Sequence, residues 1–88
     1  MSLPKEVSTA VYIRDGWKCR HCKFRETLTP HHVIFQSQGG SDELNNLITL
    51  CMACHNGIHA GNLVLIQGEK LADNIVVKFY RKGNWKPQ

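Results

Sequence analysis

Residues 19–59 read CRHCKFRETLTPHHVIFQSQGGSDELNNLITLCMACHNGIH, and the order of chemical groups in that run decides the fold. The pair Cys19-x-x-Cys22 comes first, followed by the adjacent His31-His32 and the turn Gly39-Gly40-Ser41-Asp42. Asn46, a second pair Cys51-x-x-Cys54, and finally His55 and His59 complete it. All five histidines and all four cysteines of the 88-residue chain lie in this run. Metal-binding and acid/base chemistry are therefore concentrated in one stretch, and the flanks are expected to support it.

A chain of this length is close to the size at which a hydrophobic core alone is marginal and a metal or disulfide is recruited. One domain over residues 1–88 is expected, with its core motif at about 19–60. The sequence shows neither an apolar run of about 18 residues nor a secretory leader pattern. A cytoplasmic protein without a membrane partner is therefore expected. In a reducing compartment, two CxxC pairs read as thiolates on a metal better than as disulfides. Cys19, Cys22, Cys51 and Cys54 together suit a four-cysteine structural zinc site that ties an N-terminal knuckle to the base of a helix. A thiol redox pair fits poorly, since redox motifs place one CxxC at a helix start. His21, inside the first knuckle, reads as a solvent-facing or phosphate-facing residue because four sulfurs already complete a tetrahedron.

Outside the knuckles the patterns are short. Pro4 suits a first helical turn, Val7, Ala10 and Val11 recur at helical spacing, and Asp15-Gly16 reads as a stop, so a helix is predicted over about 4–14. The β-branched and aromatic residues of His31–Phe35 predict a strand, Gly39–Asp42 a turn, and Leu47–Leu50 a returning strand. After the second knuckle, His55 and His59 stand four residues apart, which puts both rings on one face of a helix. Gly57 weakens that helix by up to about 1 kcal/mol relative to alanine, and Gly61 is placed to end it. Leu63–Ile66 and Ile75–Tyr80 read as strands, with Ile75, Val77 and Phe79 inward and Lys78, Tyr80 and Lys82 outward.

The formal charge is +4 and the pI about 9.0, which favours a polyanionic partner. Two segments carry the excess. From Arg14 to Arg25 there are five basic residues against Asp15, and from Asn74 to Gln88 there are Lys78, Arg81, Lys82 and Lys86 with no acid. Both are candidate phosphate-contacting surfaces, with Lys78, Arg81 and Lys82 the preferred nucleic-acid-binding set.

The histidine pair, the Gly39-to-Leu47 run, the segment Leu50–His55 and His59 together resemble the HNH endonuclease signature with its zinc-knuckle embellishment. The resemblance covers about half the chain and rests on several motifs in the correct order. It implies a small α+β protein with a ββα-metal (His-Me finger) core, a four-cysteine zinc site, an N-terminal helix and C-terminal strands. By position in the motif, His31, His55 and His59 would bind a catalytic divalent ion, His32 would be the general base, and Asn46 would brace the loop that orients it. Many relatives have a proline and a basic residue where this chain has Phe35-Gln36-Ser37, which alters a phosphate contact.

The chemistry explains these residue types. Phosphodiester hydrolysis needs a nucleophile from water and neutralisation of charge on phosphate, and a histidine near its unperturbed pKa of about 6.5 can take the proton. Successive strand residues point to opposite faces, so His31 and His32 divide into ligand and base. The expectation is a metal-dependent DNA endonuclease, using Mg²⁺, Mn²⁺, Ni²⁺, Co²⁺ or Zn²⁺, that nicks with low sequence specificity and leaves 5′-phosphate and 3′-hydroxyl ends. RNA as substrate, a monomer or homodimer, and delivery to DNA by other proteins stay open. The alternative is a catalytically inactive, zinc-stabilised nucleic-acid-binding module.

Overall fold

A computed structural model describes residues 3–87. Helix α1 (Lys5–Arg14) is followed by strand β1 (Leu28–His32), strand β2 (Leu47–Cys51) and helix α2 (Met52–His59), and the chain then forms strands β3 (Leu63–Lys70) and β4 (Ile75–Arg81). β1 and β2 pair antiparallel, with His31 opposite Ile48 and His32 opposite Leu47, and β3 and β4 form a second antiparallel pair. The described residues form a small α+β structure with two α-helices and two antiparallel strand pairs.

β2 lies at the centre. All five of its residues are buried, and Ile48, Leu50 and Cys51 join Cys19, Cys54, Leu63 and Ile75 in one apolar cluster. Its outer edge is closed by polar groups, since the Thr49 N–H donates to Asp15 (2.9 Å) and the Thr49 carbonyl accepts the Arg20 N–H (2.9 Å). An unpaired strand edge is thereby covered.

Helix α1 docks through the same network. Val11 is its one buried residue, too little apolar surface to hold a ten-residue helix in place. Arg14 instead donates to the carbonyls of Leu44 (2.7 Å) and Leu47 (2.6 Å) and makes a two-pronged ion pair with Asp15. Arg20 bonds Asp15 (3.1 Å), the Asn74 side chain (3.1 Å) and the Ile75 carbonyl (2.9 Å). These two arginines, expected as part of a phosphate-contacting surface, are committed to holding the elements together. Lys23 and Arg25 of that segment are exposed.

Two further expectations shift. The strand predicted at His31–Phe35 lies three residues earlier and ends at His32. Beyond it the partner strand has given way to a turn at Leu44–Asn46, and the Asn46 side chain takes over the pairing by accepting the Ile34 N–H (2.8 Å). β3 runs on to Lys70 rather than stopping at Ile66, because its pairing with β4 continues through an irregularity between Gln67 and Lys70. Ile75 is buried and Val77 and Phe79 pack against the core, whereas Lys78 and Tyr80 face outward as predicted. Gly57 also finds its reason, since a Cβ there would collide with the Trp85 ring that packs on α2.

Burial pushes the Asp15 carboxyl up, but the bonds from Arg14 and the Thr49 N–H, with the charges of Arg14 and Arg20, bring it below the usual carboxylate value. Its ionised form therefore adds stability above the unfolded pKa, and this is lost as pH falls through the lower folded value. Asp15→Asn should lower the unfolding free energy by about 3 kcal/mol at neutral pH. Denaturant melts of the zinc-saturated protein should show the gap to wild type closing under acid.

Candidate metal centre and acid/base site

Two ligand clusters converge on α2 from opposite ends of the sequence motif. Cys19 and Cys22 arrive on the knuckle after α1, Cys51 ends β2, and Cys54 sits on the first turn of α2. One sulfur from each lies within 4.8 Å of the others, and Cys22 and Cys51 approach to 3.5 Å. Zinc–sulfur arms of about 2.3 Å give a tetrahedron with edges of about 3.8 Å, so the spacing suits that ion. All four thiols are free of disulfides.

The electrostatics point the same way. Burial pushes the Cys54 thiol up, and the neighbouring Cys19 sulfur pushes it further. Cys19 is also penalised by burial, yet N–H groups of Cys22, Cys51 and His21 pull it below its ordinary value. Four sulfurs at this spacing cannot all ionise without a cation between them, and a divalent ion removes that conflict. The cluster fits a structural zinc site.

His21 was expected to face solvent or phosphate. It is half-buried, with Nδ1 3.3 Å from Cys54 Sγ and its ring 5.1 Å from that of Phe79. Burial lowers its pKa, and the Arg81 and Lys23 charges lower it further, so the neutral ring can donate to the sulfur.

The second cluster is made of imidazoles. His31 on β1 and His55 and His59 on α2 each bring one ring nitrogen within 4.8 Å of the others. The Nε2 atoms of His55 and His59 are 3.1 Å apart, and the His31 ring stands edge-on to both. Nitrogen arms of about 2.0–2.1 Å set two ligands about 3.0–3.4 Å apart, so this pair suits one ion. Among the described residues His31 Nε2 is buried without a hydrogen-bond partner, a cost of about 1–3 kcal/mol that a bound ion would offset; His55 Nδ1, on the side of its ring away from His59, is unpartnered as well. Burial, then the charges of His55, His59 and His32, push His31 down to about 4. Burial, with His59, also lowers His55. Neutral imidazole is the ligand form.

His32, the neighbouring residue on β1, shares with these rings a cleft of about 230 Å³ walled by Pro30, Phe35 and Gln36. Its Nε2 lies 2.7 Å from Asp42 Oδ1, which also accepts from Gln36 Nε2 (2.9 Å). The bond to His32 is the main reason the Asp42 pKa lies below its usual value.

Asn46 does not reach the cleft. It is fully buried, accepts from the Ile34 N–H, and donates to the carbonyls of Ile34 (3.0 Å) and Ser41 (2.8 Å). It thereby pins the loop that carries Gln36 at Ile34 and at Ser41, the residue before Asp42. Gly40 closes that loop against the Ile34 carbonyl, where any Cβ would collide.

Of the basic trio, Lys82 lines a cleft of about 250 Å³ that adjoins the imidazoles through His31 and Phe35. Arg81 borders a separate surface beside Trp85, and Lys78 stands opposite Ile66. The three do not share one face. Asp42, which the sequence presents only as part of a turn, is brought to His32 by the folded loop.

Comparison with known proteins agrees with this geometry. The family model described as HNH endonuclease matches residues 19–61, which span both cysteine pairs and every histidine. This segment therefore carries the HNH endonuclease signature. Among curated proteins, Anaredoxin from Nostoc sp. (strain PCC 7120 / SAG 25.82 / UTEX 2576) is 36% identical over 50 residues, which cover 56% of this chain and 66% of that protein. No solved structure matches the chain.

Zinc contributes on the order of 10 kcal/mol to small structural sites, about as much as the whole net stability of a domain. Replacing any one of Cys19, Cys22, Cys51 or Cys54 by serine should therefore lower the zinc content below one ion per chain and abolish the cooperative thermal transition. Metal analysis and calorimetry on the same sample check both.

Proposed function

We propose that this chain is a divalent-metal-dependent DNA endonuclease forming one domain over residues 1–88, with β1, β2 and α2 as a ββα-metal (His-Me finger) core. The supporting observation is the convergence of His31, His55 and His59 beside His32, inside the segment that matches the HNH family. In this reading the three imidazoles hold the catalytic ion. His32 is the general base and Asn46 braces its loop.

A divalent ion held there would neutralise charge on the scissile phosphate and steady the leaving 3′ oxygen. His32 takes the proton from the attacking water, a role for which an imidazole in a half-open cleft is suited at neutral pH. Asn46 acts at a distance from the chemistry by keeping the loop closed. Phe35, stacked on His59 with ring planes 10° apart, limits the tilt of one ligand ring. In-line attack leaves 5′-phosphate and 3′-hydroxyl ends.

Substrate contact follows from charge and shape. Lys82, which lines the cleft beside His31, would meet a phosphate next to the one being cut, and Lys78 and Arg81, on other surfaces, would add to the positive potential of this end of the chain. Contacts of this kind position a backbone without reading its bases, so cleavage has low sequence specificity. One centre per chain nicks one strand at a time.

Two experiments test the reading. Zinc-loaded protein supplied with Mg²⁺, Mn²⁺ or Ni²⁺ should nick supercoiled plasmid, and His32→Ala should slow this by about 10²- to 10⁴-fold while remaining folded. No cleavage by wild type with any ion would favour an inactive binding module. Lys82→Glu should weaken DNA binding and reduce the slope of log K against log salt by about one phosphate's worth, roughly 0.9. An unchanged slope would move the phosphate contact elsewhere.

A further inference from the structure

We propose that Asp42 is the positioning residue of the base, holding His32 as its Nε2–H tautomer so that Nδ1 carries the free lone pair. The inference deepens the nuclease reading and rests on it for its catalytic consequence. Its structural half stands on the geometry alone.

An ionised carboxylate can only accept, so the 2.7 Å contact between Asp42 Oδ1 and His32 Nε2 requires the hydrogen to sit on Nε2. In a neutral imidazole the other nitrogen is then unprotonated. The carboxylate is itself held. Gln36 donates to the same Oδ1 at 2.9 Å; Gln36 lies within the loop whose ends Asn46 pins at Ile34 and Ser41, and Asp42 follows directly after the second pin. The chain of restraint therefore runs from a buried amide through a loop to a carboxylate and then to an imidazole. His32 is half-buried and Asp42 is the more open partner, with 47% of its side chain exposed.

Such an arrangement has a defined chemical effect. A histidine that accepts a proton from water develops positive charge, and a carboxylate already bonded to its far nitrogen stabilises that charge without having to move. It also prevents the ring from flipping and offering the protonated nitrogen to the water. Asp42 makes no contact with the three-imidazole cluster among the hydrogen bonds of the described residues, so its effect should pass through His32 and leave ion binding unaltered.

The test compares wild type, Asp42→Ala, Asp42→Asn, His32→Ala and the Asp42→Ala/His32→Ala double variant on two readouts. Long-range proton–nitrogen NMR of zinc-loaded protein, without a second metal, reads the tautomer. Wild type should show His32 as Nε2–H, Asp42→Ala a mixture, and Asp42→Asn, whose Oδ1 still accepts, a largely retained tautomer. Plasmid nicking with Mn²⁺ reads the consequence. Asp42→Ala should lower kcat about tenfold or more with KM changed less than about twofold, and Asp42→Asn should fall between. In the His32→Ala background, adding Asp42→Ala should cost nothing further.

A wild-type His32 in the Nδ1–H tautomer, or a kcat that is unchanged or raised in Asp42→Ala, would overturn the proposal. An equal loss in the His32→Ala background would also overturn it, by showing that Asp42 supports the fold instead. If wild type fails to nick with any ion, the nuclease reading falls, while the NMR result still decides whether Asp42 sets the tautomer of His32.

Discussion

The sulfur cluster is the constraint on which the rest of the structure depends. Cys19, Cys51 and Cys54 are buried in the same apolar cluster as Ile48, Leu50, Leu63 and Ile75, so the chain has placed ionisable thiols where another protein would place aliphatic side chains. An apolar interior tolerates these groups only if their charge is cancelled at the site. Once it is, three separate parts of the chain are fixed together: the knuckle after α1, the end of β2 and the first turn of α2. His55 follows Cys54 directly and His59 lies one turn on, so the direction of both imidazoles is set by the sulfurs at the start of the same short helix.

A second layer of organisation is polar rather than apolar. α1 has little to bury, and Arg14, Asp15 and Arg20 hold it by reaching carbonyls in the Leu44 turn, β2 and β4. Asn46 does the equivalent for the long loop, with three bonds from one buried amide. Directional bonds of this kind fix relative positions more sharply than apolar contact does, because a misplaced buried donor or acceptor is left without a partner. In a chain of 88 residues, they do work for which the core has too little surface.

What was legible in the sequence follows from this division. Spacing alone implied that Cys19, Cys22, Cys51 and Cys54 would meet, as well as His55 with His59, because knuckle turns and helical periodicity are local properties. The order strand, loop, strand, helix was legible for the same reason. The end of β1 was not, since Val33 and Ile34 have strand composition but no strand residue opposite them: the Val33 N–H donates to the Asn46 carbonyl and the Ile34 N–H to the Asn46 side chain. Arg14 and Arg20 looked like surface charge because the backbone carbonyls they reach lie 30 to 59 residues away, beyond any local pattern. Asp42 carried two meanings, turn residue and carboxylate. Composition favoured the first, and only the folded loop brings it to His32.

The adjacency of His31 and His32 gives two identical side chains opposite surroundings. At the end of β1 the strand's alternation sends one ring into the protein, 3% exposed and beside two other imidazoles, and leaves the next in a cleft beside a carboxylate. The first ring is kept neutral by burial and by its neighbours, the state in which a nitrogen lone pair is available to a cation. The second has one nitrogen bonded to the Asp42 carboxylate and leaves the other free of that bond. Environment, not residue type, separates ligand from base on the proposed reading. Beyond His32 the chain turns back through Gln36 and Gly40 and brings Asp42 within bonding distance of the ring. The buried Asn46 amide thus closes the ladder and holds the loop that, on the proposed reading, orients the base.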